Sequence, residues 1–222
     1  MLEDTSGPIR KYLKSNIIML IPNSYYHIFN HANGDDNLFR EEKNYSFFLN
    51  KYHQYIDPIA DTVVWCLMPN HFHLLIKIKN KDALLQTIPK FKTLESLRAE
   101  EKEKTLSNLL SKQFSNFFSS YSQAFNKVYK RRGSLFIKNF KRKEVTSDEY
   151  MRMLILYIHL NPVKHGFVSI RENWQWTSFN EFLHNQPDLL NRLFGNAETY
   201  NSQHHARQRE FKEYQILESE LT

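Results

Sequence analysis

The chain has 222 residues, is 41% hydrophobic, 14% aromatic and 24% charged, and so can bury a core, which excludes a disordered polypeptide. Its 30 Lys and Arg against 24 Asp and Glu leave a net charge of +6, a moderate excess that fits a polyanionic partner or an ordinary basic enzyme. One cysteine, Cys66, excludes an internal disulfide framework and, within an apolar strand, reads as a buried inert thiol. No stretch approaches about eighteen apolar residues and the first residues lack a leader-like apolar region, so the expectation is an intracellular soluble protein with no membrane partner.

Residues 1–16 are polar and read as an N-terminal arm. Ile17 to Phe29 reads as a first strand, interrupted at Pro22-Asn23, and runs into the loop Asn30 to Asp36. Leu38 to Tyr55 has helical spacing and is broken by Asp57-Pro58. Ile59 to Met68 is apolar on both faces and predicts a central strand. After the turn residues Pro69-Asn70, His71 to Ile78 alternates strictly, with Phe72, Leu74, Ile76 and Ile78 on one face and His71, His73, Leu75 and Lys77 on the other. A short helix is expected around Ala83 to Ile88, and Leu94 to Glu103 reads as a solvated helix or an insertion.

Leu106 to Tyr129 carries apolar residues at three-four spacing and ends in Lys130-Arg131-Arg132-Gly133, as a helix C-terminus prefers. Ser134 to Val145 predicts a further strand. Thr146-Ser147-Asp148-Glu149 marks a helix start, and Pro162 predicts that this helix stops at Asn161. The aromatic segment Trp174 to Phe182 is expected on the core, and residues 186–222 suggest one or two terminal helices. This order of elements predicts the α+β class, a small antiparallel sheet covered by helices.

Two imidazoles at i and i+2 on a strand stand about 7 Å apart at the backbone and can share one metal ion through neutral ring nitrogens. Tyr157 and Asn161 are one turn apart on the Ser147–Asn161 helix, where an amide oxygen is a suitable ligand for a hard cation. Residue types alone favour a core aromatic at Tyr157, and at Asn161 they serve equally for a helix cap. His27, His31, His53 and His165 suggest no partner. Between Lys127 and Lys143 stand eight Lys or Arg and no acid, interleaved with Tyr129, Phe136 and Phe140. Such a run is either a solvated basic turn or a surface for phosphates and bases. Lys77 and Lys79 extend the histidine face.

Three blocks resemble a known family. MPNHFHLLIKI is similar to the His-hydrophobic-His motif of single-tyrosine (HUH) transposases, and LYIHLNPVKHGFV followed by WTSF is similar to the tyrosine-helix block of REP-associated tyrosine transposases. RRGSLFIKNFKRKEV between them also resembles that family, and together the blocks span roughly residues 60–180. The resemblance implies a ferredoxin-like (RRM-like) sheet with the tyrosine helix against it, formed by a domain at 17–183, with a C-terminal helical appendage at 184–222. It implies Tyr157 as nucleophile, and His71, His73 and Asn161 as ligands of a divalent metal ion, Mg2+ or Mn2+ rather than zinc, since no thiolate is at hand.

The implied partner is single-stranded hairpin DNA, contacted by Lys77, Arg131, Arg132, Phe136, Lys138, Lys141, Arg142 and Lys143, in a nucleoid-associated monomer or homodimer. Two other readings stay open: a non-catalytic hairpin-binding protein, and a metal-dependent nuclease that uses activated water. The Leu94–Glu103 segment and the tail beyond about residue 185 lie outside the resemblance.

Overall fold

Strand β1 (Tyr25–His31) starts where the chain becomes free to pair, after a turn in which Pro22 offers no N–H and Asn23 has φ 65°. The Tyr26 hydroxyl closes that turn, donating to Met19 O and accepting from Ile21 N. The strand therefore begins later than its apolar run and continues through His31. The structure is a computed structural model and describes residues 18–87 and 99–209. The N-terminal arm, Ile88 of the expected short helix, residues 94–98 and residues 210–222 lie outside the described residues.

The chain continues as α1 (Glu42–Ile56), β2 (Ala60–Met68), β3 (His71–Ile78), α2 (Lys81–Thr87), α3 (Ala99–Val128), β4 (Lys141–Val145), α4 (Asp148–Lys164), α5 (Phe179–Asn185), α6 (Pro187–Phe194) and α7 (Ala197–Arg209). A capping box between Glu41 and Asn44 starts α1, so this helix begins four residues inside its apolar pattern. The sheet is antiparallel in the order β2-β3-β1-β4, the ferredoxin-like arrangement. The Pro69-Asn70 turn joins β2 to β3 as expected.

Three expectations need correction. β2 is an edge strand, not a central one. Its open edge is covered by the aromatic segment, where Leu67 N donates to Trp176 O and Ser178 N to Trp65 O, so it needs no second neighbouring strand. The predicted strand from Ser134 shrinks to β4, because residues 134–140 form a loop tied to the end of β1 through Asn33 N to Leu135 O and Ile137 N to His31 O. Gly133, at φ 87°, makes the bend from α3 into that loop. Finally, α4 runs past Asn161 to Lys164 with Pro162 inside it. Proline removes only the bond to Ile158 O, and His165 N to Asn161 O and Gly166 N to Val163 O close the last turn.

The two sheet faces bury different layers. Tyr26, Ile28, Phe72, Leu74 and Ile76 pack with Phe48 of α1 and with Phe114, Phe117 and Tyr121 of α3. The opposite face presents Val64, Cys66 and Leu75 to Leu154, Ile155 and Ile158 of α4, over which α6 and α7 close. This explains an α4 that is apolar nearly all round: it is a buried middle layer. Burial pushes the Cys66 thiol pKa up, as an inert thiol requires.

A polar string crosses this second core. Trp65 N donates to Ser178 Oγ at 2.8 Å, Ser178 Oγ lies 3.1 Å from His159 Nε2, and the Tyr200 hydroxyl is 2.8 Å from His159 Nδ1. His204 Nδ1 donates to Tyr200 O at 2.8 Å, its ring meeting His159, Phe179 and Tyr200, with Arg171 contributing positive charge nearby. Burial lowers the His204 pKa to about 3, so its ring is neutral in the fold and protonates near 6.5 once unfolded. Its contribution is therefore complete above pH 6.5 and falls as the pH drops from there toward about 3. Urea unfolding between pH 7.5 and 5 should show the parent losing stability more steeply than His204→Phe, by up to about 1.4 kcal/mol per pH unit. Equal slopes would contradict a buried neutral imidazole.

Candidate functional site

The register of β1 against β3 pairs His31 with His71, Phe29 with His73 and His27 with Leu75. Paired residues share a face, so the four histidines His27, His31, His71 and His73 stand together on the α4 side of the sheet. From β4, Lys141 and Lys143 lie opposite Phe29 and His27. Across the gap, α4 presents Tyr157 and Asn161, both buried. The Tyr157 hydroxyl is 3.4 Å from His73 Nε2, and Asn161 Oδ1 is 3.0 Å from His71 Nε2. The His71 and His73 ring centroids are 5.2 Å apart. A pocket of about 660 Å³ opens onto His31, His71, His73 and Tyr157, with Lys141, His165 and Phe167 on its walls and no Asp or Glu among its described lining residues.

Hydrogen-bond partners set the ring nitrogens. His71 stands between two amide oxygens, Nδ1 2.8 Å from Asn70 Oδ1 and Nε2 3.0 Å from Asn161 Oδ1, and a proton on Nδ1 leaves the Nε2 lone pair aimed at Asn161. His31 Nδ1 likewise donates to Ala32 O at 3.0 Å, and its ring stacks on His71 with centroids 5.5 Å apart. His73 Nδ1 is 3.0 Å from His27 Nε2. With His27 as the acceptor, the Nε2 lone pair of His73 points toward α4 beside that of His71. Burial, then the neighbouring His27, His71, His165 and Lys164, hold the His73 pKa well below the usual imidazole range. Burial, then Lys143, lowers that of His27 to about 3.

These residues suit a divalent ion. With the His71 proton on Nδ1, its Nε2 and Asn161 Oδ1 are two acceptors 3.0 Å apart, while Asn161 Nδ2 is buried with no hydrogen-bond partner. Two acceptors so close need a cation or a proton between them. Adjacent ligands at about 2.1 Å from an octahedral centre are themselves about 3.0 Å apart, the separation seen here. Among the described residues no three of His, Cys, Asp and Glu gather as a metal cluster, so any ion here depends on the amide of Asn161.

The four residues expected at the centre, His71, His73, Tyr157 and Asn161, are thus together. Lys141 joins them at the pocket wall, with Lys138 and Arg142 in the adjoining cleft. Lys143 lies over the Tyr150 ring at 5.0 Å. Others stand apart. Lys77 shares the histidine face but sits over Tyr25 at the far end, beside Asp61 and Asp188, and Lys79 reaches Asp61 at 3.8 Å. Arg131 is paired with Asp36 and bonded to Ser134 O, holding the turn, while Arg132 is exposed there. Phe136, expected to stack on bases, is buried against Phe72 and Phe118 and anchors its loop, so Phe140 is the accessible ring.

Sequence reasoning missed His27, His31 and His165, whose ring centroid is 5.1 Å from that of His71. The alternation of His27, Phe29 and His31 along β1 was the available signal for two of them. His53 pairs with Asp57 outside the pocket. Histidine 15N spectra of the metal-free protein should report His71 and His73 as Nδ1–H tautomers. An Nε2–H form at either position would exclude it as an Nε2 ligand.

No protein-family model matches the chain. It is 27% identical over 123 residues, 54% of its length, to a Haemophilus influenzae protein named "Putative REP-associated tyrosine transposase", and spans 59% of that relative. A solved REP-associated tyrosine transposase bound to a REP hairpin aligns with 72% of the chain and 79% of its own, at 16% identity and a TM-score of 0.49. No helix among the described residues is long and apolar enough to cross a membrane. The chain is thus a sequence relative of a REP-associated tyrosine transposase, the family its HxH and tyrosine-helix blocks resemble.

Proposed function

We propose that the chain is a single-tyrosine DNA endonuclease and strand transferase that acts on single-stranded DNA beside a hairpin, with Tyr157 as nucleophile. The observation that carries this reading is the Tyr157 hydroxyl, 3.4 Å from His73 and opening on a pocket with a lysine on its wall and no carboxylate among its described lining residues. Such a pocket accepts a phosphodiester, which acids would repel. A phenol with an ordinary pKa of about 10 is a weak nucleophile and needs positive charge around it. Lys164 Nζ lies 5.6 Å from the Tyr157 ring centroid.

In the reaction, Tyr157 Oη forms a bond to phosphorus as the bond from phosphorus to one sugar oxygen breaks. The phenolic proton ends on the departing sugar oxygen, leaving a phosphotyrosine and a free hydroxyl. Attack by that hydroxyl, or by another, on the phosphotyrosine restores Tyr157 and joins strands. One phosphodiester is exchanged for another, so no nucleotide is consumed, and the sequence has no GxxxxGK[ST] phosphate loop. His71, His73 and Asn161 would hold the divalent ion, Mg2+ or Mn2+. Bound there, it would supply the charge that orients the scissile phosphate and stabilises its transition state. The exposed side chains of Phe167 and Ile137 at the pocket mouth give an unstacked base an apolar surface. The name of the Haemophilus relative agrees with this chemistry.

Incubation with labelled hairpin DNA carrying single-stranded flanks, in Mn2+ or Mg2+, should give an SDS-resistant protein–DNA adduct. Tyr157→Phe, which keeps the ring and removes only the hydroxyl, should lose the adduct and cleavage by more than about a thousandfold. His71→Ala or Asn161→Ala should reduce both and weaken Mn2+ binding measured by calorimetry. Cleavage that persists in Tyr157→Phe would show water as the attacking group, and binding without cleavage across several hairpins would show a non-catalytic DNA-binding protein.

A further inference from the structure

Beside the pocket lies a second, larger concavity of about 790 Å³ between α3 and the 134–142 loop. The two adjoin, since Asn30, Ile137 and Lys141 line both. Asn30 Nδ2 donates to Ile137 O at 3.2 Å, fixing the loop at the junction, and buried Leu135 and Phe136 anchor its base. The loop wall presents Lys138, Lys141 and Arg142, with the Arg142 guanidinium 5.0 Å from the Phe140 ring centroid and 2.7 Å from Ser111 Oγ on the opposite wall. No Asp or Glu lines the groove among the described residues. The α3 wall presents Ser111, Ser115, Ser119 and Ser122, which fall on one helix face.

We infer that this groove is the path of the single strand flanking the phosphate at Tyr157, a deepening that rests on the function proposed above. Lys138 and Lys141 on one wall and the Ser119 and Ser122 hydroxyls on the other can both contact a phosphate backbone, while exposed Ile137 offers an apolar face to bases. The serine row from Ser111 to Ser122 extends about 16 Å along the helix. At the stacked spacing of about 3.4 Å per nucleotide that is room for at most four or five, and an extended strand would fit fewer. The two walls come together at the 2.7 Å bond between Arg142 and Ser111, closer than a duplex allows, so the groove takes only unpaired DNA and the hairpin stem lies elsewhere.

Fluorescence anisotropy on the full chain tests this with two probes: a labelled ten-nucleotide single strand without self-complementarity, and a hairpin without single-stranded flanks. Ser115→Glu/Ser119→Glu places charge on exposed helix positions, and circular dichroism checks that the fold is kept. The double variant should bind the single strand at least tenfold more weakly and the unflanked hairpin within twofold of the parent. Lys138→Gln/Lys141→Gln should lower the slope of log affinity against log salt for the single strand by about 1.4. Parent-like single-strand binding by the glutamate variant, alongside a Tyr157-dependent adduct, would overturn the groove while leaving the proposed function standing. A parent that binds neither probe would overturn both.

Discussion

The antiparallel register between β1 and β3 is the constraint on which the rest depends. With His31 opposite His71 and Phe29 opposite His73, the histidines of two strands meet on one face and the large apolar residues Phe72, Leu74 and Ile28 on the other. A slip of one residue would send His27 and His31 into the aromatic core with α1 and α3. The register is therefore defended by the first core as much as by the ladder, because Tyr26 and Ile28 are fully buried there. The Pro69-Asn70 turn adds a local restraint, with Ala32 N donating to Asn70 O and Phe39 N to Pro69 O.

A second requirement is that α4 lies at a fixed depth and rotation, because Tyr157 and Asn161 are useful only within hydrogen-bond reach of the imidazoles. Apolar packing alone specifies such a position weakly, since Leu and Ile tolerate rearrangement. The string from Trp65 through Ser178 and His159 to Tyr200 is directional and buried, and it links β2, the start of α5, α4 and α7. His159, two residues from Tyr157, is thus turned away from the pocket and holds the tyrosine helix from behind. Helices α6 and α7 share this buried layer, which ties them mechanically to α4.

What could be read from the sequence follows from how local each signal is. The alternation at His71 to Ile78 is a property of one strand, and the four-residue spacing of Tyr157 and Asn161 a property of one helix, so both were legible. His27 and His31 obey the same alternation, but their meaning depends on which strand pairs with β1 and in what register, which no local pattern states. β2 looked central because both faces are apolar, and the covering of its edge by residues 174–178 is a contact between segments far apart in sequence. The 134–140 stretch has the composition of a strand, yet its backbone groups are taken by the end of β1 before a ladder can form. Phe136 looked like a stacking residue in a basic run, and only the tertiary packing turns it inward.

Burial of the histidines bears on how a moderately basic chain can present a site for a polyanion and a cation together. A protonated imidazole would repel a metal ion, whereas desolvation favours the neutral ring and keeps its lone pair available at neutral pH. His27 and His73 are both held that way. Neutral nitrogens and an amide oxygen also leave the charge of a bound ion undiminished, unlike a carboxylate set. The permanent cations stand one layer out, at Lys138, Lys141 and Arg142, where they can attract phosphates without competing for the centre. Under the proposed function, neutral ligands inside and fixed charges outside would let a net excess of only +6 serve, because Lys138 and Lys141 stand beside the pocket where a strand would pass.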